Sequence, residues 1–199
     1  MTGKERLLNG RPREVAGRIP GEPGIWLFIA GDCLLFSALF IVFLLYRAED
    51  PAIFGAGRAE LSQVLGLCNT LLMLTSSWFV AIGVEAAHRH LAGVPQRCFG
   101  AALACGAAFG AVKFFEYREK IAADITPTTN DFFMFYFVYT GIHMIHVFIG
   151  MIVLYMLIIY TRQHNIRALQ IQHLQTGAGF WHLVDLLWIV LFPLLYLTA

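Results

Sequence analysis

The chain has 199 residues, 58% of them hydrophobic and 14% charged, with a formal net charge of +1. An ordinary soluble domain carries about a quarter charged residues, so this composition excludes a water-soluble globule. The near-neutral charge gives no electrostatic footprint for nucleic acid.

In chain order, residues 1–23 form a polar tail with Lys4, Arg6, Arg11, Arg13 and Arg18. The apolar stretch that follows is long enough to span a bilayer and has no cleavage pattern after a short core. A retained helix is therefore expected, not a signal peptide. Five apolar runs of spanning length fall at roughly 24–46, 61–87, 97–117, 132–160 and 178–197. The first lies between "PGEPG" and "RAEDP"; the third is rich in Ala and Gly. Ahead of the fourth, "TPTTND" offers Thr129, Asn130 or Asp131 as an N-cap. Short links make neighbours antiparallel. The predicted class is all-α: a polytopic membrane protein, one five-transmembrane-helix bundle over residues 24–199, with no internal repeat.

Basic residues orient the bundle. The tail, Arg89, Arg97, Arg162 and Arg167 put nine on one side, against Arg47, Arg58, Lys113, Arg118 and Lys120, five on the other. The predicted N-terminus is cytoplasmic. Cys33, Cys68, Cys98 and Cys105 form no CxxC pair; they read as small buried or interfacial residues, with no disulfide or zinc site.

Ionisable groups inside a membrane are costly and mark functional or packing sites. "GIHMIHVFIG" carries His143 and His146, "FWHLVDLLW" carries His182 and Asp185, and Asp32 lies in the first span. Counting about 1.5 Å per residue, all five fall in the middle-to-inner half of the bilayer. Asn69, Lys113 and Glu116 form a second set nearer the outside. The three-residue spacing puts His143 with His146, and His182 with Asp185, on shared helix faces. A carboxylate-bridged di-metal site needs Glu-x-x-His on two helices plus two further Glu; here His-x-x-Asp occurs once. A haem needs opposed axial histidines, which His143 or His146 with His182 could supply. The favoured reading is an interhelical hydrogen-bond network of Asn69, His143, His146, His182 and Asp185, with no metal. Glu85 and His88 read as a solvated helix-end pair. Gly106 and Gly110 with Ala102 and Ala107 form a close-packing face, and the aromatic run "FFMFYFVY" reads as lipid-facing or interfacial.

Several stretches together resemble a known family. "LCNTLLMLTSSWFVAIGVEAAHRHL", "KFFEY", "FYFVYTGIHMIHVFIG" and "FWHLVDLLWIVLFPLLY" look like helices of subunit III of the haem–copper oxidases. "GIWLFIAGDCLLFSALF" looks like the helix of that subunit with a buried carboxylate, where many members have Glu; Asp32 departs from the mitochondrial-type pattern and resembles the bacterial quinol-oxidase branch. The resemblance runs from about Pro20 to Tyr196. Longer members have seven helices; this chain resembles the short bacterial forms that lack the first two. "PGEPGIWLF" and "NTLLMLTSSWFVA" look most like the subunit-III-like protein associated with bacterial nitric oxide reductase, with the subunit III of a quinol or cytochrome c oxidase as the alternative.

The resemblance implies a non-catalytic accessory subunit in the bacterial cytoplasmic membrane. It implies no redox cofactor on this chain, a haem-bearing catalytic subunit as partner, and a structural phospholipid in a cleft between helices. Support of proton uptake and of active lifetime would be its role. Asp32 matches the family's carbodiimide-reactive carboxylate near that cleft, and Glu116 the acidic residue of its Glu-Tyr pair. An assembly factor, a stand-alone haem or metal protein, and a transporter are the competing classes; internal repeats of the transporter kind are not visible.

Overall fold

The computed structural model describes residues 23–162 and 168–198, with side chains omitted at 23 and 168–171. The tail with Lys4, Arg6, Arg11, Arg13 and Arg18, and Arg167, lie outside the described residues. Six helices follow in order: α1 Pro23–Glu49, α2 Pro51–Ala59, α3 Gln63–His88, α4 Val94–Ala122, α5 Asp131–Thr161 and α6 Ala168–Phe192. Five helical stretches are long and apolar enough to cross a membrane, as the sequence predicts. Sequence placed the last span at 178–197, whereas α6 begins ten residues earlier, at Ala168. Polar Gln170, Gln172 and Gln175 hide the start because a helix can extend past the hydrocarbon boundary while its hydropathy falls.

The helix starts follow from local chemistry. Asn130 is the N-cap of α5 and accepts from the Phe133 N–H at 2.9 Å. Ser62 caps α3 by accepting from Leu65, and Asp50 caps α2 by accepting from Ile53. Asp50 followed by Pro51 at the first helical position is a strong start signal, yet α2 is too short to register as a span and sequence reading took it for a loop. Gly93, at φ 76°, makes the turn into α4 in the left-handed region. At the other end Pro193 has no N–H to continue the ladder. The chain widens into a π-helical turn over Pro193–Leu197, closed by the Thr198 N–H on the Pro193 carbonyl at 2.9 Å.

The core lies between α3, α4, α5 and α6. Trp181 of α6 is fully buried, seated against Gly106 of α4 and Gly150 of α5. A Cβ on either glycine would come within 2.9 Å and 2.6 Å of its ring. The small-residue face of α4 therefore receives an aromatic wedge of this same chain. In contrast α1 stands at the margin: 11% of its most apolar window is buried, against 56% for the last span.

Candidate functional site

Polar side chains inside the bundle form three separate groups. At the end where α4 finishes and α5 starts, Lys113 is 1% exposed and Glu116 2% exposed. Lys113 Nζ donates to Glu116 Oε2 at 2.9 Å, to the Tyr196 hydroxyl at 2.9 Å and to the Tyr136 hydroxyl at 3.2 Å. Tyr196 in turn donates to Glu116 Oε1 at 2.6 Å. An ammonium has three protons to donate, and all three find an acceptor. Four rings, those of Tyr117, Tyr136, Trp188 and Tyr196, surround the cation at 4.8 to 5.6 Å. Two turns on from Lys113, Lys120 donates to the Glu60 carbonyl and is also buried. Lys113 and Lys120 are thus structural donors and leave only Arg47, Arg58 and Arg118 of the five basic residues on that side.

Midway, four helices converge on His143. Its ring is fully buried between Phe109, 5.6 Å away, and Trp188, 5.3 Å away. Trp188 Nε1 donates to Thr70 Oγ1 at 3.1 Å, and Thr70 donates to the Gly66 carbonyl. Asn69 is fully buried, and neither it nor His143 hydrogen-bonds within the described residues. Across α6, His182 shares a 2.5 Å hydrogen bond with Ser77 of α3 on an exposed face, and the buried Asp185 lies beside the same serine.

The third group joins α1 to α5. His146 Nε2 lies 3.3 Å from Asp32 Oδ1, and His146 Nδ1 donates to the Ile142 carbonyl at 2.9 Å. Phe36 packs edge-on against the imidazole at 5.8 Å. Two turns along, Tyr139 donates to the Leu39 carbonyl, a second tie between the helices. Beyond the pair, toward the start of α1, a cleft of about 400 Å³ opens between α1, α5 and α6, lined by Ile25, Phe28, Val153, Leu157, Gly177 and Phe180 among others.

These placements correct the expected single network. His146 pairs with Asp32 of α1, His182 and Asp185 both meet Ser77, and Asn69 and His143 make no hydrogen bond within the described residues. His143 and His146 do not meet common neighbours: three residues rotate a helix about 60° short of a full turn, enough to aim one ring at the core and the other at α1. No His182–Asp185 hydrogen bond forms among the described residues: His182 Nδ1 meets Ser77, and Asp185 Oδ1 has no partner. Asn69 does not join Lys113 and Glu116. At the end of α3, Glu85 pairs with Arg89 at 2.6 Å, while His88 meets Gln175 of α6 at 3.2 Å.

Chemically, the arrangement spends its polar groups on other helices. Among the described residues no three His, Cys, Asp or Glu side chains gather as a metal-binding set. His143 in the core and His182 on the exposed face do not oppose each other as axial haem ligands. Among the described residues the apolar cleft is shaped for a small molecule, its volume falling in the ligand-pocket range of roughly 300–1,000 Å³.

Comparison with known proteins supplies the rest. The sequence profile described as cytochrome c oxidase subunit III matches residues 18–199. The chain belongs to the cytochrome c oxidase subunit III family. It is similar to cytochrome c oxidase subunit 3 of Synechocystis sp., 33% identical over 178 residues, covering 87% of this chain and 74% of the relative. It is also similar to cytochrome bo(3) ubiquinol oxidase subunit 3 of Pseudomonas aeruginosa, 28% identical with 88% and 84% covered. A third relative, cytochrome c oxidase subunit 3 of Bacillus sp., is 26% identical with 88% and 84% covered.

In this subunit III family chain the sequence found Asp32, Lys113, Glu116 and the histidines because ionisable residues stand out in apolar runs. It missed Tyr136, Tyr196, Trp188 and Ser77, whose types are ordinary in membrane helices. Only Lys113-x-x-Glu116, spaced to pair along one helix, hinted at the ion pair. Nothing in the sequence hinted at which tyrosines would reach it.

Proposed function

We propose that this chain is the non-catalytic subunit III of a bacterial haem–copper oxidase that uses cytochrome c or quinol. The family match across all five spans carries the reading. The structure supports it, since the buried polar groups serve helix packing. The chain docks beside the haem-bearing catalytic subunit in the cytoplasmic membrane, with its N-terminus inside, and sustains proton uptake and active lifetime. It binds no haem or metal of its own. The apolar cleft takes an acyl chain of a structural phospholipid. Its lining is almost entirely hydrocarbon, and its mouth lies at the end where α1 starts, among Tyr160, His173 and Thr176.

The association with nitric oxide reductase expected above rests on two short stretches of sequence. The named relatives, subunits of cytochrome c and ubiquinol oxidases, favour the oxidase reading instead.

Purification of this chain in mild detergent tests the proposal. Co-purification of a haem-bearing subunit, with turnover on oxygen, supports it. Co-purification of a partner that reduces nitric oxide restores the other reading. Deletion should leave the partner's haem spectra intact while turnover, normalised to haem, decays faster. Loss of the haems on deletion would mark an assembly factor instead.

A further inference from the structure

The hydrogen-bonding options at His146 fix how many protons the α1–α5 contact contains. The Ile142 carbonyl can only accept, so His146 Nδ1 must carry a hydrogen. Nε2 then faces Asp32 Oδ1 at 3.3 Å. A neutral imidazole presents a lone pair there, which an ionised carboxylate would oppose. The contact is attractive only with a proton between the two atoms: on the acid, donating to Nε2, or on the imidazole, donating to the carboxylate. Both forms are neutral overall and contain the same proton.

We infer that Asp32 and His146 share one proton and that this proton latches α1 to the bundle. The location makes the latch matter. Asp32 and His146 side chains are 9% and 14% exposed, and beside them α1 buries mainly the apolar Phe36 and Phe43. A further tie in this interface, Tyr139 on the Leu39 carbonyl, needs no titrating proton.

Neighbouring ionisable groups face elsewhere. On α5, His143 is turned to Phe109 and Trp188. On α6, His182 and Asp185 lie at Ser77, and His173 stands at the cleft mouth beside Tyr160. On α1 itself Cys33 is the adjacent thiol, and Arg47 and Glu49 are four turns away. On α2, Asp50 caps its own helix and Arg58 donates to the Leu197 carbonyl.

The sign of the pH dependence follows by counting protons. Where both parted groups are deprotonated, they hold one proton fewer than the pair. Parting then releases a proton, and the contact weakens as pH rises, by up to tenfold in the unfolding equilibrium per pH unit. Where both parted groups are protonated they hold one more, and the contact weakens again.

The full chain in lipid nanodiscs, with nitrogen-15 histidine and carbon-13 aspartate, tests the proton directly. Infrared and nitrogen resonances at neutral pH should report either a protonated Asp32 with a neutral His146, or a carboxylate with an imidazolium. An ionised Asp32 beside a neutral His146 overturns the inference. A second measurement follows detergent-induced unfolding of the full chain between pH 7 and pH 9. The amide of Asp32→Asn donates to Nε2 without a titrating proton, and that of His146→Gln donates to the carboxylate. Either variant should flatten the wild-type slope by up to tenfold per pH unit. Equal slopes in wild type and in whichever variant folds would remove the latch, and the spectra decide the matter if neither folds.

Discussion

Lys113 donates to three oxygens inside an aromatic cage, so replacing it leaves Glu116 in the core without its cation, held by the Tyr196 hydroxyl alone among the described residues. Lys113→Met should cost about 3–5 kcal/mol, the usual result of breaking a buried ion pair from one side. The double variant Lys113→Met with Glu116→Leu removes both charges and should recover much of that loss. A double-mutant cycle of unfolding free energies in detergent checks this; additive losses would show that the two side chains act separately. Tyr196→Phe deletes the donor to Glu116 Oε1 and one acceptor of Lys113. It should cost about 1–3 kcal/mol by the same assay. His143 is different in kind. It is packed between rings, so His143→Gln should lower stability through lost aromatic contact while the visible spectrum of the complex stays unchanged.

At the scale of elements, the wedge of α6 into α4 and α5 sets how closely three helices approach. Gly150→Val puts methyl groups where the Trp181 ring lies and should cost about 1–3 kcal/mol through forced repacking. Trp181→Ala should cost about 3–5 kcal/mol by opening a cavity. Combining the two should cost less than their sum, because the valine then occupies space the indole has left; thermal unfolding of the four proteins in one detergent measures the coupling. The π-helical turn is a second element-level device. Pro193→Ala restores an N–H and allows the α-helical ladder to run on, which rotates Tyr196 away from Glu116. A loss comparable to Tyr196→Phe is expected, and little further loss when both changes are combined.

For the whole molecule, orientation and lipid occupancy are the quantities to measure. With the four cysteines replaced by serine, a cysteine at exposed Leu91 in the α3–α4 link should label from the cytoplasmic side only, and one at Asp124 from the opposite side only. The reverse pattern would invert the proposed topology. Val153→Trp fills the cleft between α1, α5 and α6. It should reduce the phospholipid retained by the purified complex, counted by mass spectrometry, and shorten active lifetime if that lipid supports turnover. Unchanged lipid content would show that the retained molecules sit elsewhere.

The number and type of the spanning helices were legible in the sequence because each must be about 20 apolar residues long regardless of its neighbours. The resemblance also identified Asp32 and Glu116 as residues to watch, because a carboxylate in an apolar run stands out without any partner being known. Which partner each one meets was decided by tertiary structure alone. Asp32 finds His146 over 100 residues away, and Glu116 finds Tyr196 from the far end of the chain. Spacing along one helix sets only which face a residue occupies. The angle and proximity of the facing helix come from close packing, here of Trp181 on Gly106 and Gly150. Small offsets in that packing determine whether two polar atoms stand at hydrogen-bond distance or a helix turn apart. For this reason five residues that looked like one network in the sequence became separate contacts in the fold.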